Sequence, residues 1–380
     1  MMSRSGFPGI TLKRALTNTA MVFYCVALFL IFDFVYSSFT RGDEREINPR
    51  RFDSVYGHDL TSHFDGYDVW GESRYRLITD SLAFKDASTR EVPLTSNVHR
   101  ILLMGDSFTE AIGMPYEDSF AGLRARAGEQ RSDKIEFLNA GVSDYSPVNY
   151  YKKIQYLLDR GLKFDEVVLL PDVSDVFDEA MSKFCIDDDP KYQFHCKDIR
   201  DPTGKRAATR TWDETFVVTN RLRILVKFWI QQQLGNRRKA LETDFSRASW
   251  TMDRTEPARY SPLGIDGGIA RSLENMTKLS DLLASRGIPL TIAVYPWPQQ
   301  IARNDRDSRQ VTLWRDFCRG RCKDFIDLFP VFFAAADRDK NWYEHLYVFG
   351  DVHFSATGNR IMYEELAKRL MPSPNRPASG

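Results

Sequence analysis

An α/β fold, a three-layer αβα sandwich of flavodoxin-like type around a five-stranded parallel sheet and preceded by one transmembrane helix, is predicted by three features of this 380-residue chain. Short apolar runs of strand length recur from residue 99 onward. The segments between them carry helical spacing, which is the alternation that builds parallel sheets covered on both faces. Ahead of them all lies an apolar stretch of nearly bilayer length.

The elements follow in chain order. Residues 1–14 carry Arg4, Lys13 and Arg14 and read as a cytoplasmic tail. Residues 15–39 read as the anchor: Ala20 to Phe32 is unbroken apolar sequence, and Phe34-Val35-Tyr36 extends it past Asp33, whose carboxylate is expected to reach the headgroups. A cleaved leader ending near Val35-Tyr36-Ser37 is the competing reading. In both cases the remainder is exported, and a retained anchor places it on the periplasmic side of a bacterial inner membrane. Residues 40–98 are polar and aromatic with weak periodicity, and read as a tether and N-terminal collar.

The regular pattern begins at His99, with predicted strands at Arg100–Met104, Ile135–Asn139, Glu166–Leu170, Leu290–Tyr295 and Phe325–Leu328. Helical stripes appear at Phe120/Leu123/Ala127, at Val148/Tyr151/Leu158 and at Ile269/Leu273/Met276/Leu283, the last ending before Gly287 and Pro289. The final helix opens at Ser355, and residues 99–372 form the predicted α/β domain, with 373–380 as a tail. Roughly 115 residues separate the third strand from the fourth, far more than a crossover needs, so an insertion is expected at about 176–265. Its residues 200–239 hold ten Lys/Arg against three Asp/Glu, and Phe216 to Leu234 reads as an amphipathic helix that packs on the domain or lies on an anionic surface.

Composition excludes several classes. Lys/Arg and Asp/Glu both number 52, so the chain lacks the basic excess of a nucleic-acid binder. Cys185 with Cys196, and Cys318 with Cys322, form two local pairs suited to short-loop disulfides in an exported protein. No His-Glu-x-x-His or finger-like spacing predicts a metal, and no cofactor motif occurs.

The chemistry lies where strands end. The first predicted strand runs into Gly105-Asp106-Ser107-Phe108-Thr109, which brings a serine to the lip of the sheet at a helix start, with Thr109 as a candidate cap. At the other end of the domain, Asp351-Val352-His353 precedes the last helix. Ser107 as nucleophile, His353 as base and Asp351 as the group that fixes the imidazole make an acyl-transfer constellation. The other histidines, His58, His63, His99, His195 and His345, have no comparable setting.

Gly105-Asp106-Ser107, Asn139-Ala140-Gly141 and Asp351-x-His353 together resemble the SGNH/GDSL hydrolase family over residues 99–371. The resemblance implies an ester-cleaving site with Ser107 as nucleophile, His353 as base, and the Ser107 and Gly141 N–H groups as oxyanion donors. Where that family presents an asparagine after the third strand, this chain offers Ser174. A hydroxyl donates a single rotatable hydrogen bond in place of a fixed amide. Asp172, Asp175 and Asn139 are candidate contacts to a sugar hydroxyl, the two aspartates having a structural reading beside it. The Asp-x-His spacing resembles the O-acetyltransferases of exopolysaccharide modification, which implies addition or removal of an acyl group on a glycan. A membrane-bound acyltransferase partner is expected if transfer is the task. A carbohydrate-binding or assembly protein without turnover is the alternative from another class.

Overall fold

The computed structural model describes residues 12–40, 49–70, 73–131, 135–181, 186, 216, 218–219, 222–223, 226, 245–252, 258–348 and 350–370. The chain divides into two compact units, residues 1–47 with 201–236, and residues 48–200 with 237–380.

In the smaller unit, helix α1 (Leu12–Thr40) holds a 24-residue stretch, Leu16–Phe39, long and apolar enough to cross a membrane. Asp33 interrupts it, and its carboxylate is satisfied by protein donors rather than left for headgroups. It accepts from Ser37 Oγ at 3.0 Å, Val218 N–H at 2.9 Å, and Thr219 through N–H at 2.7 Å and Oγ1 at 2.6 Å. Most of the predicted Phe216–Leu234 helix lies outside the described residues.

The larger unit is organised by the sheet. Strands β5 (His99–Gly105), β6 (Ile135–Asn139), β7 (Glu166–Leu170), β8 (Leu290–Val294) and β9 (Asp324–Asp327) run parallel in the order β6-β5-β7-β8-β9. All five match predicted strands to within a residue or two. β7 occupies the centre, and Val167 to Leu170 are fully buried, as expected of a strand covered on both faces. The order reverses between β5 and β7, so the carboxyl ends of those strands open the crevice where ligands bind in such sheets.

Helices α3 (Phe120–Arg131), α4 (Pro147–Asp159) and α6 (Gly264–Ser285) include the three predicted stripes and α11 (Ala356–Leu370) is the predicted final helix, while α5 (Asp175–Met181) follows β7 directly. Four shorter helices, α7 (Pro298–Ala302), α8 (Arg309–Cys318), α9 (Phe329–Arg338) and α10 (Trp342–Leu346), fill the connections between β8 and α11. Ser355 caps α11, its Oγ accepting from Thr357 N–H at 3.1 Å and Gly358 N–H at 3.3 Å. Cys318 and Cys322 form the predicted disulfide; Cys185 and Cys196 lie outside the described residues.

Residues 49–98 contain two antiparallel hairpins the sequence reading did not anticipate: β1 (Arg50–Asp53) with β2 (Gly57–Leu60), and β3 (Asp65–Trp70) with β4 (Ser73–Ile78). Tyr56, Leu60, Tyr75, Leu77 and Phe84 from this segment join the main hydrophobic core. The collar therefore belongs to the body of the domain. Burial of these apolar side chains, each about 1.5–3 kcal/mol, holds it there.

Candidate active site

Ser107 stands on the tight connection from β5 to the short helix α2 (Ser107–Glu110). Asp106, not Thr109, caps that helix: its Oδ1 accepts the Phe108 N–H at 2.9 Å. Thr109 is instead buried against two glycines. A Cβ at position 105 would lie 2.1 Å from Thr109 Oγ1, and one at 141 would lie 2.6 Å from Thr109 Cβ and 2.8 Å from the Glu110 nitrogen. Glycine is required at both places because α2 seats directly on the β5 and β6 exits.

The C-terminal loop closes on this serine. His353 Nε2 is 2.7 Å from Ser107 Oγ, and His353 Nδ1 is 3.0 Å from Asp351 Oδ1. Both Ser107 and His353 are more than nine-tenths buried. An ionised Asp351 can only accept, so Nδ1–H donates to it and, in the neutral imidazole, Nε2 is left to accept the serine hydroxyl proton. Val352 N–H also donates to Asp351 Oδ1, at 2.6 Å. Burial of Asp351 favours its neutral form, but the hydrogen bond and charge of His353, with the Val352 and Trp70 donors, outweigh burial and hold the carboxyl below its ordinary range.

Trp70, at the end of β3, is a site neighbour that the sequence reading missed. Its Nε1–H donates to Asp351 Oδ2, and its ring stands edge-on to the imidazole at 5.2 Å between centroids. The Phe108 ring lies 4.9 Å from the imidazole.

The predicted oxyanion donors fare differently. Ser107 N–H opens α2, where no intrahelical acceptor exists. Gly141 N–H donates to Asn139 Oδ1 at 3.2 Å, so it is engaged in its own turn. Ser174 is buried just ahead of α5; its N–H donates to Asp172 Oδ1 at 2.8 Å, and its hydroxyl takes no part in the bonds that order the turn.

The three candidate sugar contacts are corrected by burial. Asn139 Nδ2 donates to Thr109 O at 2.8 Å, which ties β6 to α2. Asp172 Oδ2 accepts from Trp297 Nε1 at 2.7 Å and Tyr295 OH at 3.1 Å, while Asp175 accepts from Tyr150 OH at 3.2 Å and from the Asp172 N–H at 3.2 Å. Both aspartates are 1% exposed or less, so neither presents an oxygen to solvent. They form a polar floor beneath the serine, with Tyr295 OH bridging to Asp106 Oδ1 at 3.3 Å. Burial first, and then the neighbouring Asp172, push the Asp106 carboxyl well above its ordinary range; burial with Asp172 and Asp106 does the same to Asp175.

The collar braces the site from the outside. Arg50 on β1 donates to Asp68 Oδ2 at 2.8 Å, Glu110 Oε1 at 2.5 Å and Ser143 Oγ at 3.1 Å, so one guanidinium joins both hairpins, α2 and the loop after β6. Buried Lys85 donates to Ala111 O at 2.8 Å and Met114 O at 2.6 Å behind α2; burial lowers its pKa to about 8. Among the described residues, no group of three or more His, Cys, Asp or Glu side chains is placed to hold a metal ion.

No protein-family model and no curated protein sequence matches the chain. Among solved structures it is similar to a catalytic mutant of Axe2, an acetylxylan esterase from Geobacillus stearothermophilus (10% identity, 75% of this chain and 100% of that one, TM-score 0.42). It is also similar to the acetyl xylan esterase AlAXEase (15% identity, 72% and 100%, TM-score 0.40) and to TesA (11% identity, 72% and 99%, TM-score 0.41).

Proposed function

We propose that the chain is a serine esterase or O-acyltransferase of SGNH/GDSL type, anchored by α1 outside the cytoplasm and acting on an O-acylated polysaccharide through an acyl-Ser107 intermediate. The observation that carries this reading is the unbroken contact from Ser107 Oγ to His353 Nε2 at 2.7 Å and from His353 Nδ1 to Asp351 at 3.0 Å. Nucleophile, base and orienting carboxylate stand within hydrogen-bond reach in the order that acyl transfer requires.

Ser107 Oγ attacks the ester carbonyl while its proton passes to His353 Nε2, and Asp351 stabilises the imidazolium. The tetrahedral oxyanion forms beside the Ser107 N–H at the start of α2, with the Ser174 hydroxyl as a second donor. Collapse breaks the bond to the leaving alcohol, which departs with the proton from His353. A second hydroxyl then gives its proton to His353 and attacks the acyl-serine: water yields a free acid, and a sugar hydroxyl yields a new ester. The acyl group of this reading is small, acetyl by the resemblance of the Asp-x-His spacing. Transfer also calls for a membrane-bound acyltransferase to supply it.

The test uses the full chain in membranes, a serine-directed fluorophosphonate and a chromogenic acetyl ester, with Ser107→Ala and His353→Ala as controls. Labelling and turnover that depend on both residues support the reading. Glycan binding that survives both substitutions in a protein that never labels overturns it in favour of a binding module. Envelope glycan from cells carrying Ser107→Ala then gives the direction: under-acylated glycan means transfer, over-acylated glycan means removal.

A further inference from the structure

We propose that Trp70, delivered by the β3–β4 hairpin, is a positioning residue that holds Asp351 and His353 in the geometry in which the imidazole accepts the Ser107 proton. The inference deepens the acyl-transfer reading and rests on it for its kinetic half.

The indole touches two members of the constellation at once. Its Nε1–H donates to Asp351 Oδ2, the oxygen left open when Oδ1 accepts from His353 Nδ1 and Val352 N–H. Its edge meets the imidazole with the planes at 90° and the centroids 5.2 Å apart, a favourable arrangement for two aromatic rings. Trp70 is half-buried and packs against the margin of the core, whereas Trp250 and Trp314 are fully enclosed by it.

Trp70 is itself held in register. It pairs with Ser73 across the hairpin, and strand alternation places it on the same face as Asp68. Asp68 accepts from Arg50 at 2.8 Å and from Tyr75 OH at 2.6 Å, and Arg50 continues to Glu110 on α2. The helix that carries the nucleophile and the strand that steadies the base therefore share one ion-pair network. A carboxylate held by donors on both oxygens cannot rotate away from the imidazole, and the base keeps its tautomer.

The test compares full-length wild type and Trp70→Phe in detergent, with isotope-labelled histidine followed by NMR and fluorophosphonate labelling followed against pH. Phenylalanine keeps an aromatic edge and deletes the donor. Loss of that donor concentrates the Asp351 charge toward the imidazolium, so the expected result is a His353 titration moved to higher pH, with the acid limb of labelling moved alike. Loss of a hydrogen bond to a charged group predicts a plateau labelling rate lower by about ten- to a hundredfold. Trp70→Gln, which restores an N–H donor, recovers part of it. Trp70→Leu is read in the same titration, so a single misfolded variant does not decide the matter.

An unmoved His353 titration in the folded variants overturns the proposal, whatever happens to the rate, because a tryptophan that only supports the fold changes the melting temperature and not the titration. The titration is read whether or not Ser107 is acylated. A wild type that never labels but shifts its titration on Trp70→Phe refutes the acyl-transfer reading and upholds the Trp70 contact.

Discussion

Replacing Asp351 by asparagine sets two contacts against each other. Asp351 receives three donors: His353 Nδ1 and Val352 N–H on Oδ1, and Trp70 Nε1–H on Oδ2. An amide has one acceptor oxygen, so no orientation of the substituted side chain satisfies all three. If the oxygen faces His353, the amide N–H₂ meets the Trp70 N–H, two donors face to face. If the amide turns, its N–H₂ faces His353, moves the imidazole proton to Nε2 and destroys the base toward Ser107. Either outcome costs a hydrogen bond to a buried group, about 1–3 kcal/mol. The wrong tautomer adds to this, and comparable carboxylate-to-amide changes lower acyl transfer by up to about 10⁴. The expected fall in labelling rate for Asp351→Asn is therefore about 10²–10⁴. Adding Trp70→Phe removes the donor conflict and lets the amide oxygen stay toward His353. The double variant should then label about tenfold faster than Asp351→Asn alone, although Trp70→Phe by itself is expected to slow labelling. The measurement is the second-order fluorophosphonate rate constant for the four proteins of the cycle. A Trp70→Phe penalty of the same size in both backgrounds would refute the reasoning, since it would mean the indole does not act through Asp351.

Three further outcomes are expected. Gly141→Ala should slow labelling by about a hundredfold, the typical consequence of a ~1 Å displacement of a reacting group, and should destabilise by about 1–3 kcal/mol through overpacking. The new Cβ would meet the Glu110 nitrogen at 2.8 Å, so α2 must move, and labelling and melting at wild-type values would contradict the packing described. Buried Asp80 has its pKa raised to about 7, chiefly by desolvation, against backbone N–H bonds from Phe84 and Leu82 that lower it. Its folded-state pKa exceeds the unfolded value, so the folded protein binds the extra proton and stability falls as pH rises from about 4 to about 7. Asp80→Asn should flatten that fall, at most about 4 kcal/mol, in a series of thermal melts across the window. Asp106→Asn keeps the oxygen that caps Phe108 and should label within about tenfold of wild type, whereas Asp106→Ala loses the cap, worth about 1 kcal/mol, and should label more slowly.

Much of this fold is legible because its sheet is buried on both faces: runs such as Val167–Leu170 are continuously apolar and stand out from the helical segments beside them. The serine turn and the Asp-x-His loop are legible because each is a compact local motif at a strand exit or helix entry. The collar is not, for a physical reason. β3 only half-buries alternate positions, and those are Gly66, Asp68 and Trp70 while Tyr67 and Val69 face outward, so its polarity does not follow the strand period. Trp70 is invisible for a different reason, since the residue that gives it meaning lies 281 positions away. The acidic run after β7 misleads in the opposite direction. Asp172 and Asp175 look like ligand contacts in one dimension, yet Tyr150, Tyr295 and Trp297, distant in the chain, consume their oxygens.

That buried floor bears on the chemistry above it. Asp106 Oδ2 lies 3.2 Å from Ser107 Oγ, so a full negative charge there would oppose the negative charge that grows during attack. The opposition amounts to about 4 kcal/mol for charges ~4 Å apart under a protein-like dielectric. The serine hydroxyl also has only one proton, and an ionised Asp106 would compete for it with His353 Nε2, which is closer at 2.7 Å. Burial and the neighbouring Asp172 relieve both conflicts by favouring the neutral form of Asp106 far above the usual carboxyl range. Asp351 shows the opposite balance: His353 and the flanking donors keep its carboxyl ionised. The two carboxyls nearest the reacting pair are thus pushed in opposite directions by their surroundings, Asp106 toward its neutral form beside the nucleophile and Asp351 toward its ionised form behind the base. Acyl transfer needs that asymmetry, because the positive charge develops on the imidazole and the negative charge on the far side of the serine.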